Sequence, residues 1–393
     1  MSDGTLQTLD VTMLDDVGAG ANQLIQLDSN AKIPACSGAA VTNLPGVTKS
    51  ASDPVYATNP SGGVGTVWQN TTSGEMYICT DATAGQNTWI NIGGGSGDIE
   101  PWGGYQGLTY GYTMQGYRGG YSNVIDRFSF TTDGNATDVG DVTVARNAGT
   151  GGADGVAYGY CAGGHTGSPQ SDIIDRFAFG SSSDAVDVGN LTVGRGEGVG
   201  SSYDKTHHYC HGGNGNNVID RYAFAASNNA TDVGDLVHNP SGVGGACSPS
   251  YAYAMGGYPG PNNTIEKYSY AATATSTDVG DLYKGTTWIN SNGNSQTYGY
   301  AFGGYGTPAA YLNQIQKWAY SSNSNSTDVG DMIYTGNSTN CCSSQTHVYV
   351  VGGGNASSQY THIQKVPFAT DGNSTDVGDL IGSGGTSHSS CHQ

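Results

Sequence analysis

Six copies of one pattern organise the chain, each an Ile-x-(Arg/Lys) followed 13 residues after the Ile by Asp-Val-Gly-(Asp/Asn). The Ile positions are Ile125, Ile174, Ile219, Ile265, Ile315 and Ile363, and the matching Asp positions are Asp138, Asp187, Asp232, Asp278, Asp328 and Asp376. The spacing is held to the residue while the overall period wanders between 45 and 50. Each copy is therefore one structural unit with a tolerant loop elsewhere, and a closed array of such units is read as a single domain.

With 64 Gly and 26 Tyr, abundant Thr, Ser and Asn, and no long run of helical apolar period, the chain is expected to be all-β. The 32 acidic residues against 13 basic leave a formal charge of -19, a field that repels phosphate backbones and anionic lipid, so nucleic acid is not an expected partner. No stretch of 18 apolar residues is present and Met1 to Asp15 lacks a basic, apolar leader pattern, so membrane insertion and secretion by a signal peptide are not expected. The eight cysteines show no CxxC framework and are expected to be thiols, Cys161 and Cys210 filling one small apolar slot of consecutive copies.

Within the second copy four strands are predicted: Ala148 to Ala153, Val156 to Ala162, Ile173 to Phe179 and Ala185 to Leu191. Between the third and fourth, copies write Asp133-Gly134-Asn135 or Asp371-Gly372-Asn373, read as tight hairpin chemistry that fixes register. Four antiparallel strands per copy is the length of a propeller blade. The pairs Gly163-Gly164, Gly212-Gly213, Gly256-Gly257, Gly303-Gly304 and Gly352-Gly353 close the second strand as in the kelch repeat, which this region resembles from about Tyr105 onward. Gln115-Gly116 departs from that pattern in the first copy, and Val366 breaks the aromatic column Phe128, Phe177, Tyr222, Tyr268 and Trp318 of the third strands. The resemblance implies a six-bladed kelch-like β-propeller over residues 98–393. The first copy begins almost at its second strand, Leu108 to Met114, so a strand near Gly384 to Cys391 is expected to complete it and abolish a free edge.

Length variation is confined to one loop. From the second residue of the Gly-Gly slot to the next Ile, 8, 9, 5, 7, 10 and 9 residues intervene, whereas the leg from the Asp-Val-Gly-(Asp/Asn) to the next second-strand Tyr is 18 or 19 throughout. Six such loops on one face suit recognition by a rigid scaffold. They carry Tyr117, Arg118, Tyr121, His165, Tyr258, Tyr305, Tyr311, Asn355 and Tyr360 among Gly, Ser, Asn and Pro, a binding-surface composition whose aromatic faces also suit sugars. The first seven named and Tyr360, without Asn355, are the candidate ligand-binding residues.

The basic column Arg127, Arg176, Arg221, Lys267, Lys317 and Lys365 recurs in every copy, so it is read as architecture, with the Asp column accepting turn N–H groups and pairing with it. Calcium on the turns is a weaker reading, without EF-hand spacing. His207, His208 and His211 alternate between two faces of one strand and are not expected to ligate a metal together. Catalysis needs residues that stand out from the repeats. Asp154, Asp172, Asp204 and Glu197 lie in different copies with no distinguishing context, so neither enzyme activity nor a cofactor is expected.

Residues 1–104 do not repeat. The segment Gly20 to Ala35, continuing to Thr42-Asn43-Leu44-Pro45, is similar to one in tail-fibre and other appendage proteins of marine bacteriophages, and Gly65 to Gly95 resembles a small β module that adjoins it there. The expected organisation is an attachment segment over 1–50, a β-hairpin module with a Gly-rich joint, Gly93 to Gly97, over 51–97, and the propeller beyond. The resemblance implies a phage virion protein, assembled in the host cytoplasm, trimeric, docked on other virion proteins and acting as a tail fibre or receptor-binding protein towards host surface glycan or protein. The alternative is a structural or decoration role.

Overall fold

In the computed structural model the described residues are 47–92 and 106–393, apart from 154–156, 205, 225, 261, 273, 290–292, 307, 309, 383–385 and 387. Most of the attachment segment, the Gly-rich joint, Asp154, Val156 and the start of the expected last strand lie outside them. Among the described residues there is no helix. The chain is all-β, built largely of four-stranded antiparallel sheets in a β-propeller-like arrangement, and divides into units Met1–Pro101 and Trp102–Gln393.

In the first unit the strands Val67–Asn70, Met76–Asp81 and Thr88–Asn91 form the expected meander. A strand not foreseen, Val47–Ser50, pairs parallel to Val67–Asn70, so this sheet runs across residue 50. Its core is Tyr77, Cys79 and Trp89, with Trp68 edge-on to Trp89 at 5.8 Å.

In the second unit the second copy gives the order expected: Thr150–Ala153, Tyr158–Ala162, Ile173–Ala178 and Val186–Asn190, each hydrogen-bonded to the next. The same order recurs through the later copies. The first copy contributes Tyr110–Met114, Ser122–Ser129 and Thr137–Arg146, and its missing strand is Ser389–His392, with Cys391 opposite Tyr112 and Ser390 opposite Thr113. The fifth copy adds a small sheet of Thr286–Thr287, Tyr305–Gly306 and Ala310–Tyr311.

Why the sheets stack is read from two aromatic columns, of which the sequence reading noticed one. The second-strand Tyr112 lies against Phe177 at 5.3 Å and Phe179 at 4.9 Å from the following sheet. Tyr160 lies likewise between Tyr222 and Phe224, Tyr209 between Tyr268 and Tyr270, Tyr253 between Trp318 and Tyr320, and Tyr349 between Phe128 and Phe130. Such pairs contribute roughly 0.5–1.5 kcal/mol each beyond area burial. Where Val366 breaks the first column, Phe368 of the second still meets Tyr300 at 5.7 Å. The rings need room from their own sheet: a Cβ on Gly159 would stand 2.3 Å from Phe177, its cross-strand partner.

The expected tight hairpin between third and fourth strands is corrected. In the first copy the ladder ends at Arg127 opposite Thr137, and the residues between reach across to another sheet. Ala136 donates its N–H to the Asp379 carbonyl at 2.8 Å, and the Asn135 amide oxygen accepts the Asp379 N–H at 3.1 Å. Equivalent backbone bonds run from Ala185 to Asp141, Ala230 to Asn190, Ser276 to Asp235, Ser326 to Asp281 and Ser374 to Asp331. The recurring Asn is thus an inter-sheet cap. The Gly of each Asp-Val-Gly-(Asp/Asn) sits beneath that crossing: Gly234 has φ +151° and a Cβ there would stand 2.3 Å from the Ala274 carbonyl oxygen.

Candidate functional site

Because the variable loops follow the second strands and the connectors follow the fourth, both emerge at one edge of every sheet. The geometry holds them together. Each loop pairs with the connector leading into its own sheet: Tyr117 with Thr386, His165 with Asn147, Tyr258 with Ser241, Tyr305 and Gly306 with Thr287 and Thr286, and Gly354 with Asn337. In the third sheet the Asn214 amide oxygen accepts the Gly196 N–H at 3.2 Å. A chain of backbone bonds crosses the same edge, with Gly242 donating to Glu197, Trp288 to Gly242 and Ser338 to Trp288.

On this frame the candidate residues fall into separate groups. Tyr117 and Tyr121 are bridged across their turn with rings edge-on at 5.9 Å, and the Tyr121 hydroxyl meets His165 Nδ1 of the next loop at 2.8 Å. Tyr305 and Tyr311 pair edge-on at 5.3 Å. Tyr258 stands apart and is the most open, 58% exposed. Tyr360 stacks on Tyr334 at 4.0 Å, and the Asn355 amide donates to its hydroxyl at 2.6 Å. Tyr334, a connector residue, was absent from the sequence reading.

Arg118 belongs elsewhere. Its guanidinium turns inward, 2.5 Å from Asp126, and donates to the Ile381 carbonyl at 2.6 Å, leaving its side chain 11% exposed. Burial raises the Asp126 carboxyl above its ordinary range, with Arg118 opposing that rise. This is the middle residue of Ile-x-(Arg/Lys), which the sequence reading passed over. In all six copies it is a buried acceptor: Asp126, Asp175, Asp220, Glu266, Gln316 and Gln364. Each of the last five takes backbone N–H groups from the connector of the preceding sheet: Thr143 on Asp175, Thr192 on Asp220, Val237 and His238 on Glu266, Lys284 on Gln316 and Ile333 on Gln364. Carboxylates stand where a cation faces them, Arg146 at 2.9 Å from Asp175 and Arg195 at 2.7 Å from Asp220.

The basic column does not pair with the Asp column. Arg127, Arg176, Lys267 and Lys317 lie over Tyr110, Tyr158, Tyr251 and Tyr298 at 4.6 to 4.8 Å. Lys317 also meets Asp371, and Lys365 meets Asp133 at 2.7 Å, in each case the turn of the following sheet. The first Asp of each turn does accept the N–H of the Gly two residues on, as in Asp232 with Gly234 at 3.1 Å.

His208 and His211 are buried and bonded apart, His208 Nδ1 to the Tyr222 hydroxyl and His211 Nδ1 to the Tyr268 hydroxyl at 2.9 Å. Burial holds His208 down at about 3 and His211 at about 4. Both are neutral when folded, whereas the unfolded chain takes up protons below its ordinary value near 6.5. Stability is therefore complete above that value and lost as pH falls below it towards the folded values. At pH 5.5 each costs about 1.4 kcal/mol relative to neutral pH. Urea midpoints should drop between pH 7.5 and 5.5, and less steeply in His208→Asn, measured against its own midpoint at pH 7.5. The seven described cysteines are all buried.

The arrangement can hold a ligand against rigid aromatic faces. Among the described residues no three His, Cys, Asp or Glu side chains converge as a metal site. The sequence matches no family model, and no curated protein matches it.

Proposed function

We propose that the six sheets of the second unit are the blades of a closed six-bladed kelch-like propeller, and that the protein is a phage virion appendage, a tail fibre or receptor-binding protein that binds host surface glycan or protein through its loop face. What carries the reading is that six loops of unequal length emerge at the same edge of their sheets, five of them backbone-bonded to their connectors and four of them carrying tyrosines. The N-terminal segment is assigned to other virion proteins and to trimerisation. Recognition proceeds by binding alone, without catalysis or cofactor.

A structural or decoration role is the second reading, favoured by one observation. The connectors expose apolar side chains at the same edge: Val144, Val193, Val237, Tyr283, Ile333 and Ile381, all at least 38% exposed. Apolar exposure repeated in all six connectors suits a protein neighbour. The test is binding of purified protein to intact candidate host cells, wild type against a variant with Tyr117 to Tyr121, Arg118 kept because it holds Asp126, and Tyr305 to Tyr311 replaced by Gly-Ser. We expect specific binding, lost by at least tenfold in a variant that still folds. No binding to any productive host, with normal incorporation into particles, would favour decoration.

A further inference from the structure

We infer that Tyr117, Tyr121 and His165 form a binding site for a neutral saccharide. The inference rests on the host-recognition reading and names the ligand class. A pyranose presents an apolar face of C–H bonds ringed by hydroxyls, and it binds where aromatic faces stand open to solvent in a fixed orientation. Here three rings adjoin one after another across two loops, Tyr117 edge-on to Tyr121 at 5.9 Å and Tyr121 tilted against His165 at 5.7 Å. Those separations are comparable with the span of one sugar ring. Tyr117 and Tyr121 are 37% and 40% exposed.

The row is set before any ligand arrives. Tyr117 exchanges both backbone hydrogen bonds with Thr386, and Tyr121 is bridged to Tyr117. His165 exchanges both with Asn147, and its Nδ1 lies 2.8 Å from the Tyr121 hydroxyl and 3.1 Å from the Gly167 N–H. The backbone under both loops is held and the Tyr121 and His165 side chains are tied to each other, so less freedom is lost on binding, which is how rigid aromatic anchors gain affinity.

Charge selects the class. A carboxylated or phosphorylated sugar needs a cation at the row, and the guanidinium beside it, Arg118, is committed to Asp126 and the Ile381 carbonyl. The formal charge of -19 repels an anionic polymer as it approaches. Neutral sugars are free of both costs.

The test is calorimetric titration of the full chain with linear neutral hexasaccharides of glucose, galactose and mannose, and with uronate hexasaccharides. We expect saturable binding of at least one neutral compound, weakened roughly tenfold or more in Tyr121→Ala. Tyr121→Phe, which keeps the ring and loses only the bond to His165, should fall between, and Tyr251→Ala, which changes an exposed tyrosine at the opposite edge of its sheet, should match wild type. Equal melting temperatures separate lost contact from lost fold. Absence of binding to every neutral compound, uronates bound as tightly, or an unchanged Tyr121→Ala would overturn the assignment. If Tyr121→Ala still binds host cells while the loop-replaced protein does not, the saccharide site fails and the recognition reading stands. If wild type binds a neutral hexasaccharide but no host cell, the reverse holds.

Discussion

A chain ending at Ile381 should lose the cooperative unfolding of its second unit. The strand Ser389–His392 is the fourth member of the first copy's sheet, yet it comes from the opposite end of the sequence. All four of its residues are buried. It also bonds sideways: Ser390 donates to the Cys341 carbonyl at 2.6 Å, the Asn340 amide to the His388 carbonyl at 2.5 Å, and the Tyr203 hydroxyl meets His392 Nε2 at 3.2 Å. On the other side a Cβ on Gly151 would stand 2.3 Å from the Ser390 carbonyl oxygen. Truncation removes one ladder partner of Tyr110–Met114 and uncovers Met114 and Tyr112, both at most 2% exposed. With a domain's whole margin near 5–15 kcal/mol, that loss exceeds what the unit can spare, and the bare edge invites aggregation. Circular dichroism melts and gel filtration should show a non-cooperative, associating second unit. A truncated protein melting within a few degrees of wild type, as a monodisperse species of the same assembly state, would contradict this.

Asp220→Ala should cost about 3–5 kcal/mol, since it leaves the Arg195 guanidinium buried beside no carboxylate. Both side chains are 0% exposed, and Asp220 also accepts the Thr192 N–H and hydroxyl, at 3.1 and 2.5 Å. The chain contains its own control. In the fifth sheet Gln316 occupies this slot and accepts the Lys284 N–H at 3.0 Å, and the connector carries Thr286 where Arg195 stands. The double substitution Asp220→Gln with Arg195→Thr should therefore recover much of the loss in urea denaturation. Equal destabilisation of single and double variants would mean that packing, and not the unmatched charge, sets the cost.

The repeat unit, the strand order and the late strand that completes the first sheet were legible because apolar alternation and a fixed spacing report ladder geometry directly. The spacing was legible for the wrong reason. It reflects a bulge between Ile174 and Asp175 and their counterparts, plus a crossing to the neighbouring sheet, where Asp133-Gly134-Asn135 suggested a tight turn. That bulge also hid the buried acceptors, because Ile174 and Asp175 are both buried and simple alternation sends one of them outward. Reading the middle residue of each Ile-x-(Arg/Lys) would have found them, since all six are carboxylate or amide. Arg118 misled because exposure is the default for a loop arginine; its partner Asp126 lies eight residues on and is recognisable only once that slot is known to be buried. Tyr334 escaped notice because its connector was taken as a constant leg, whereas its ring stacks under the loop residue Tyr360.

Two sets of exposed tyrosines mark opposite edges of the sheets and make the loop-face claim directly measurable. Tyr117, Tyr121 and Tyr258 follow the second strands, whereas Tyr158, Tyr251 and Tyr298 begin them, at 36 to 39% exposure. The decisive measurement is hydroxyl-radical footprinting of these tyrosines, free and bound to host cell envelopes. Recognition through the loop face predicts protection of Tyr117, Tyr121 and Tyr258 with Tyr158, Tyr251 and Tyr298 unchanged; protection of the second set instead, or of neither, would contradict it.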